Sequence, residues 1–379
     1  MNKKKIIILG TAHPYRGGIA AFNERLAWQF LNEGHDVEVF TFTLQYPNFL
    51  FPGKTQYSDE SSPKGFSILR KINSINPLNW IKTGKKISSK MPDIVIIPYW
   101  ISFLAPCLGT IASQIKKNKH TRIVGLVHNM IPHEPSLLDK IFPKCYVKNV
   151  DVFVSLSESV LTDINIFDKK NKPKTFSPHP IYDHYGNSLQ KNEAKRILNL
   201  EESFHYALFF GFIRSYKGLD LLLEAFAVDR IQKKPLKLIV AGEFYEDEKP
   251  YLEIIRKNNL DAKVLLFNNF IPDNKVNLFF SACDLVVQPY KTATQSGVTQ
   301  IAYHFEKPMI VTNVGGLSEI VPHGKCGYVV ESNANAIAYA IEDFYNNNRE
   351  NVFIGHCKTE KKKYDWGRMT DTILKIVND

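Results

Sequence analysis

The strongest constraint on the fold of this chain is an uninterrupted succession of an apolar strand, a short loop and an amphipathic helix near its middle. Residues 207–210 are apolar and form the end of a run with the length of a buried strand. The apolar residues beyond the loop are spaced three, four and seven positions apart, which places them on one face of a helix. These residues are Leu219, Leu222, Leu223 and Phe226. A strand, a short loop and the start of a helix therefore lie in line, as they do in a parallel α/β sheet.

Two glycines bracket that loop, and two cations lie inside it. The loop begins at Gly211, ends at Gly218 and contains Arg214 and Lys217. Backbone N–H groups at the start of a helix attract an anion, Arg adds a planar pair of donors and Lys adds a point charge. This combination predicts a site for a diphosphate that needs no metal ion. The simpler interpretation is that both cations only keep a βα loop solvated.

The same alternation of strand and helix recurs in both halves of the chain. With 379 residues, 44% of them apolar, the chain is long enough for two domains that each have a core. In the first half, a strand at 6–9, a helix at 22–31 and a strand at 37–41 form a βαβ unit. In the second half, strands alternate with helices over residues 236–288. We therefore predict an α/β fold with two Rossmann-like, doubly wound parallel sheets.

The loop after the first strand argues against a dinucleotide cofactor. It contains Gly17 and Gly18 but no Gly-x-Gly-x-x-Gly motif, and no acidic residue follows the second strand where a dinucleotide ribose requires one. A nicotinamide dehydrogenase is therefore not expected. Paired glycines let the backbone approach a ligand closely, although a flexible turn without a ligand also explains them.

Net charge and cysteine usage narrow the choice of partner. The chain has 48 Lys and Arg against 38 Asp and Glu, a formal net charge of +10, which favours anionic partners such as nucleotides or acidic lipids. No motif typical of nucleic-acid binding is present, so nucleic acid is not an expected partner. The five cysteines lie far apart, which argues against a disulfide framework and against a metal bound by cysteines.

Two apolar stretches do not meet the requirements of an export or membrane segment. The first strand has only four apolar residues before Gly10, which is too short for a signal peptide. Pro98 and Pro106 interrupt the apolar stretch at 94–112, which favours a strand, a loop and a helix over a membrane span. We therefore expect the protein in the cytoplasm.

A basic segment at residues 64–90 combines cations with apolar residues. Its cations are Lys64, Arg70, Lys71, Lys82, Lys85, Lys86 and Lys90. Such a segment is suited to an anionic membrane surface, where each cation near the surface contributes about 1 kcal/mol. That interpretation places the protein at the inner face of the cell membrane as a peripheral protein. The alternative is a helix with a solvated basic face whose apolar side packs inward.

The central motif resembles a known donor-site signature. The string Gly211-x-x-Arg214-x-x-Lys217-Gly218, followed by a helix and by a strand that ends in Gly-Glu, is similar to that of glycosyltransferase family four, the retaining group 1 type with the GT-B fold. The resemblance implies that Arg214 and Lys217 hold the phosphates of a nucleotide-diphosphate sugar. It also implies two Rossmann-like domains that face a cleft, with the acceptor in the first and the donor in the second.

A proline-rich stretch at 169–180 predicts the junction between these domains. We place the N-terminal acceptor domain at residues 1–188 and the C-terminal donor domain at residues 189–364. By the same resemblance, the last helix, at about 365–379, packs back on the first domain.

The resemblance also gives roles to residues of the first domain. Gly17 and Gly18 are expected to face the donor phosphate and the acceptor. His128, which follows a strand at 123–127, is expected to contact the donor sugar and support the transition state. A histidine held by backbone hydrogen bonds is the alternative for His128.

In the second domain, the resemblance points to the nucleotide base and ribose. Glu243 and the backbone of Phe270 and Ile271 are expected to contact the base. Glu319, which follows a Gly-Gly turn, is expected either to bind the ribose hydroxyls or to cap its own helix.

The stretch 290–302 departs from the family pattern. Family members usually have a Glu, seven further residues and a second Glu here, and these acids contact the donor sugar and the ribose. Counting back from Pro308, the two acids fall at 293–294 and at 301–302, but the whole stretch contains no acidic residue. Sugar and ribose recognition therefore must differ from that of the family.

Polar residues in the same stretch keep the capacity to bind phosphate. Gln295 and Ser296 offer side-chain hydrogen bonds, and the backbone of Ser296, Gly297 and Val298 offers N–H groups at a helix start. We therefore expect diphosphate binding to persist, as in a specialised bacterial enzyme rather than an inactive one.

The predicted function is that of a retaining glycosyltransferase of the hexosyltransferase type that requires no metal and no cofactor. A UDP or GDP sugar is the co-substrate, and the acceptor is a glycan or a lipid-linked molecule of cell-envelope polysaccharide biosynthesis. The departing diphosphate develops negative charge that Arg214 and Lys217 stabilise. The alternatives are a non-catalytic nucleotide-binding or sugar-binding protein of the same fold and a nucleotide-sugar epimerase.

Overall fold

The computed structural model describes residues 3–47, 55–58, 61–131, 137–293 and 296–378. These residues form two units: Met1–His179 together with Trp366–Asp379, and Pro180–Asp365. The chain thus passes into the second unit after His179, whereas the sequence analysis placed that boundary at 188.

The first unit is built on a sheet of seven parallel strands. The strands are β1 (Lys5–Leu9), β2 (Asp36–Leu44), β3 (Ser67–Asn73), β4 (Ile94–Tyr99), β5 (Arg122–Val127), β6 (Val152–Ser155) and β7 (Lys174–Phe176). The helices are α1 (Gly18–Asn32), α2 (Pro77–Ser89), α3 (Ala105–Ile115), α4 (Pro143–Val147), α5 (Glu158–Phe167) and the C-terminal helix (Trp366–Asn378). The strand order is β3-β2-β1-β4-β5-β6-β7, so the direction of winding reverses between β1 and β4.

The second unit repeats this plan with six parallel strands. The strands are β8 (His205–Phe210), β9 (Leu236–Ala241), β10 (Val264–Phe267), β11 (Leu285–Gln288), β12 (Met309–Thr312) and β13 (Gly327–Val330). The helices are α6 (Lys191–Ile197), α7 (Leu219–Ala227), α8 (Asp229–Gln232), α9 (Lys249–Lys257), α10 (Asp273–Ala282), α11 (Gly297–His304), α12 (Leu317–Ile320), α13 (Ala334–Asn346) and α14 (Glu350–Glu360). The order β10-β9-β8-β11-β12-β13 reverses between β8 and β11. The predicted fold class, two doubly wound parallel α/β sheets, is confirmed.

The apolar strand runs in the sequence reflect burial on both faces of each sheet. All six residues of β4 are buried, and so are the last four residues of β1 and of β9. Helices that cover both faces of a parallel sheet explain why these strands are continuously apolar rather than alternating. Because parallel strands end at one edge, the loops after the strands meet there, which is where open α/β sheets bind ligands.

The C-terminal helix belongs to the first unit because its apolar face packs against that unit. That face consists of Trp366, Met369, Ile373 and Ile376, which are buried. The Trp366 ring lies 5.0 Å from the ring of Phe22 in α1, and the guanidinium of Arg25 lies 5.0 Å from the centre of the Trp366 ring. Thr370 Oγ1 donates a hydrogen bond of 2.7 Å to Glu33 Oε1.

The basic segment 64–90 divides into the edge strand β3 and the helix α2. Asn76 caps α2, since its side chain accepts a hydrogen bond of 3.2 Å from the backbone N–H of Asn79. Nowhere in the described ranges does a helix have both the length and the apolar character needed to cross a membrane.

Candidate functional site

The loop between β8 and α7 has a backbone that only glycine adopts easily at its two ends. Gly211 has a φ of 98° and Gly218 a φ of 69°, both in the left-handed region. A Cβ atom on Gly218 would lie 2.0 Å from the carbonyl oxygen of Pro289, which follows β11. Gly218 therefore lets the start of α7 approach the end of β11 more closely than any side chain would allow.

The two cations of this loop lie against aromatic rings. The Lys217 Nζ atom is 5.6 Å from the centre of the Tyr290 ring, and the Arg214 guanidinium carbon is 5.3 Å from the centre of the Tyr245 ring. Lys217 Nζ also lies over Gly211, where an added Cβ atom would be 3.2 Å away. Within the described ranges, neither cation forms an ion pair with a carboxylate. Both positive charges are therefore available to an anion.

The electrostatics of Lys217 support this conclusion. Burial and the neighbouring charge of Arg214 lower the pKa of Lys217 to about 8. Burial and the Arg214 charge both disfavour the charged ammonium. An anion bound beside Lys217 would favour the charged form and so raise its pKa again. A site that holds two like charges together without a counter-charge is typical of a place where an anionic ligand binds.

The start of α11 adjoins this loop. Ser296 caps the helix, because its Oγ atom accepts a hydrogen bond of 3.2 Å from the Val298 N–H and lies 3.1 Å from the Tyr290 hydroxyl. The Val298 N–H group, which the sequence analysis offered to phosphate, is thus occupied by the cap. Val298 Cγ2 lies 3.7 Å from the position of a Cβ atom on Gly211. Gln295, the neighbouring predicted donor, lies outside the described residues.

Gly297 has a packing role at the same helix start. A Cβ atom on Gly297 would lie 2.8 Å from the Tyr182 ring, so the absence of a side chain lets that ring pack against α11. The structure thus brings Gly211, Lys217, Ser296 and Val298 together around Tyr290.

Tyr290 was not predicted as a site residue, although it connects the two halves of this arrangement. Its ring faces Lys217, its hydroxyl pairs with Ser296, and its carbonyl oxygen accepts a hydrogen bond from Thr312 Oγ1 on β12. Burial raises the pKa of the Tyr290 hydroxyl, so it remains protonated. The available signal was its place two residues after β11, at the ligand-binding edge.

Three aromatic residues follow three neighbouring strands at the same edge. Phe212 comes after β8, Tyr245 after β9 and Phe270 after β10. The Phe212 ring lies 4.2 Å from the Tyr245 ring and 6.3 Å from the Phe270 ring. The sequence analysis assigned only the backbone of Phe270 and of the half-buried Ile271 to contact with the base. It did not identify the rings of Phe212 and Tyr245. The signal that could have identified them is an aromatic residue two to four positions after each of three strand ends.

The two predicted acids of this unit lie in different surroundings. Glu243 follows β9 and is buried, and its carbonyl oxygen accepts a hydrogen bond of 2.9 Å from the Ile213 N–H. Glu319 is exposed in the first turn of α12. The described residues include no cluster of three or more His, Cys, Asp or Glu side chains arranged to hold a metal ion.

Two buried glutamines beside β11 were also missed. Gln288 ends β11 and Gln300 lies in α11, and each has an exposed fraction of 1% or less. Neither amide has a hydrogen-bond partner among the described residues. A buried amide without a partner is costly, so these side chains are available to polar groups of a ligand or to ordered water.

The first unit holds the remaining predicted residues. Gly17, with a φ of 111°, caps α1, and Gly18 is the first residue of that helix rather than part of the loop. His128 follows β5, and its backbone N–H donates a hydrogen bond of 2.8 Å to Tyr99 O. The His128 ring lies 4.8 Å from Phe22 of α1. The loops after β1 and β5 therefore lie at one edge of the sheet.

His128 is neutral at physiological pH. Burial, together with the nearby His179 ring at 6.3 Å, lowers the pKa of His128 to about 3. Its Nε2 atom has no hydrogen-bond partner in the part of the chain that the structure describes. The ring is thus able to hydrogen-bond to a ligand but not to supply a positive charge.

Residues 190–358, most of the second unit, match the protein family described as glycosyl transferases group 1. This match supports a glycosyltransferase. Over nearly its whole length the chain is similar to an uncharacterized glycosyltransferase of Methanocaldococcus jannaschii, with 26% identity over 391 residues that cover 99% of this chain and 98% of that protein.

Solved glycosyltransferase structures have the same fold. Sucrose-phosphate synthase from Thermosynechococcus elongatus matches with a TM-score of 0.75 at 17% identity, over 98% of each chain. Anabaena HepE, solved in complex with UDP and glucose, matches with a TM-score of 0.71 at 14% identity, over 99% of each chain. The two α/β units therefore have the GT-B architecture.

Proposed function

We propose that this protein transfers a sugar from a nucleoside-diphosphate sugar, with UDP or GDP as the nucleotide, to a glycan or a lipid-linked acceptor. The observation that carries the proposal is the pair of cations Arg214 and Lys217. They lie in a glycine-bracketed βα loop of the unit that matches the group 1 glycosyltransferases, and among the described residues neither has a carboxylate partner. A leaving diphosphate is the anion that this arrangement fits best.

In the proposed reaction, the bond between the anomeric carbon and the β-phosphate oxygen breaks, and an acceptor hydroxyl forms the new glycosidic bond. The leaving nucleoside diphosphate gains negative charge as this bond breaks. Arg214 and Lys217 stabilise that charge, and removal of one such preorganised donor typically raises the barrier by about 3 kcal/mol. The proposal needs neither a metal ion nor a cofactor.

We infer retention of configuration at the anomeric carbon. The acceptor attacks on the face that the diphosphate leaves, and a phosphate oxygen takes the proton of the acceptor hydroxyl. Double displacement requires a nucleophilic carboxylate beside the sugar. The stretch 290–302 contains no acid that would provide one.

The same likenesses support the choice of the donor and of the biological setting that we propose. HepE was solved with UDP and glucose, so UDP-glucose is the first donor to test. We place the reaction in polysaccharide biosynthesis of the cell envelope, with a glycan or lipid-linked acceptor. The lack of acids in 290–302 also favours a second candidate function, a protein that binds a nucleotide without turnover.

Two measurements made with the whole chain in the presence of a chelator separate these functions. Thermal shift with UDP, GDP, ADP and their sugars identifies the nucleotide, and release of nucleoside diphosphate across a panel of donors and acceptors reports turnover. The transferase proposal expects one nucleotide to stabilise the protein and its sugar to be consumed. Binding without consumption would favour the non-catalytic protein, and activity that a chelator abolishes would contradict the metal-independent mechanism.

A further inference from the structure

The outer face of α2 and the turn before it carry large apolar side chains that are exposed in the described structure. Leu78 has an exposed fraction of 78%, and Ile81 of 37%, while Ile75, just before the helix, has 51%. Nowhere else in the described ranges do three large hydrophobic residues with this exposure fall within seven positions. We call the exposed set Lys71, Ile75, Leu78, Ile81, Lys82, Lys85 and Lys86 the α2 surface.

The opposite face of α2 explains why these residues point outward. Thr83, Gly84 and Ile87 are buried. A Cβ atom on Gly84 would lie 2.6 Å from Gln114 Cβ of α3, so the two helices pack closely along this line. The helix therefore already has a complete inner face, and its outer residues are not required for that packing.

Hydrogen bonds hold the beginning of the α2 surface in a fixed conformation. Asn79 Oδ1 accepts from the Asn73 N–H at 2.8 Å, and Asn79 Nδ2 donates to Lys71 O at 3.0 Å. Trp80 Nε1 donates to Asn73 O at 2.7 Å. The turn before α2 is thus formed in advance, so binding at this surface loses little conformational entropy.

The α2 surface is also cationic without compensation. Residues 61–92 include no Asp or Glu. Within the described ranges, none of Lys71, Lys82, Lys85 and Lys86 forms an ion pair with a carboxylate, whereas Lys90 pairs with Glu38 at 2.9 Å. Leu78, Ile81, Lys82 and Lys85 share one face of the helix by their spacing. Apolar side chains are therefore surrounded by free ammonium groups.

We propose that the α2 surface docks on an anionic lipid bilayer. Apolar side chains that enter the boundary between headgroups and acyl chains, with lysines beside acidic headgroups, are the chemistry of an interfacial helix. The complementarity between this unpaired positive charge and an acidic headgroup layer favours a lipid surface over a second copy of this equally basic chain. Leu78 inserts, and Lys82 and Lys85 bind lipid phosphates.

Vesicle sedimentation of the whole chain tests the proposal. We expect binding to vesicles rich in phosphatidylglycerol at low salt and little binding to pure phosphatidylcholine. Each lysine contributes about fivefold to the partition coefficient, so Lys82→Glu with Lys85→Glu lowers it by more than about 25-fold. The matched control is Lys144→Glu with Lys148→Glu, which makes the same charge change on two exposed residues, one in α4 and one directly after it.

A second pair of variants, one on the α2 surface and one matched control, tests the contribution of the apolar side chains to membrane binding. Leu78→Ser is expected to lower the partition coefficient about tenfold. Ile166→Ser, at a residue that is 52% exposed on α5, is expected to leave it nearly unchanged. Circular dichroism and the thermal shift caused by UDP or GDP check that each variant remains folded with an unaltered nucleotide site. Three outcomes would each overturn the proposal. The partition coefficient could fall equally for the α2 variants and the control variants, or the protein could bind neutral vesicles as strongly as acidic ones. The α2 variants could also lose self-association instead of lipid binding.

Discussion

Replacement of Lys217 tests the electrostatic basis of the proposed reaction most directly. Lys217→Met keeps most of the length of the side chain and removes its charge. If the ammonium stabilises the leaving diphosphate, the loss of about 3 kcal/mol lowers kcat/KM about 100-fold. Lys291→Met is the matched control, because Lys291 is also in the second unit but already pairs with Asp220 at 2.6 Å. We expect that control to change kcat/KM by less than about threefold.

The pH dependence gives a second, independent reading of the same residue. Because the pKa of Lys217 in the free protein is about 8, the ammonium is present below that pH and is lost above it. The logarithm of kcat/KM is therefore expected to be flat below pH 8 and to fall by about one unit per pH unit above it. Lys217→Met removes this fall of kcat/KM above pH 8 (the alkaline limb) along with most of the rate. Lys217→Arg keeps a charge at every accessible pH, so the limb disappears while part of the rate remains.

The assay is the initial rate of nucleoside-diphosphate release at limiting donor sugar, measured in buffers of constant ionic strength across this pH range. A fall above pH 8 that persists in Lys217→Met would show that another group titrates. A loss of rate in Lys291→Met equal to that in Lys217→Met would show that general surface charge, rather than the loop, attracts the donor. Either result would refute the assignment of Lys217 as the residue that stabilises the leaving group.

Three further predictions concern the fold that supports the site. Gly218→Ala destabilises the second unit by more than Gly324→Ala in urea titrations, since both glycines have positive φ but only Gly218 has a backbone oxygen within 2.0 Å of the new Cβ atom. Asp284→Asn costs the second unit about 1.5–3 kcal/mol, because the buried carboxylate loses its ion pair with Lys191 and its charge-assisted hydrogen bond from the Tyr206 N–H is weakened. Hydrogen bonds from His205 and Tyr206 and the ion pair with Lys191 lower the folded-state pKa of Asp284, so their stabilisation is complete above about pH 4, the unfolded value, and is lost as pH falls further, which stability measured against pH reports. Trp366→Ala costs the first unit about 3–5 kcal/mol, and Trp28→Ala, at a residue 42% exposed, costs less than about 1 kcal/mol, as differential denaturation shows.

The pattern of apolar and polar residues along the chain was sufficient to predict the two sheets. Strands such as 6–9 and 236–241 are buried on both faces, so they appear in the sequence as uninterrupted apolar runs. The intervening amphipathic helices then permit few arrangements, because crossovers between parallel strands are right-handed. The predicted start of α1 was less accurate. Gly18 is the first residue of α1, since a helix end depends on its cap as well as on its apolar period.

The chemical character of the anion loop was also visible in the sequence. Gly211, Arg214, Lys217 and Gly218 are close in the chain, so their proximity does not depend on distant contacts. The state of their charges does depend on such contacts. The lowered pKa of Lys217 follows from its burial and from the orientation of Arg214, neither of which appears in the sequence.

The sequence by itself determined the alternating α/β plan and the loop of glycines and cations, because both depend on residues that are neighbours in the chain. Only the tertiary structure decided which distant residues meet that loop: Tyr290 and Ser296 from beyond β11 and Tyr245 from beyond β9. Parallel strands bring loops that are far apart in sequence to one edge of a sheet. No period or spacing in the sequence predicts which side chains come into contact at that edge.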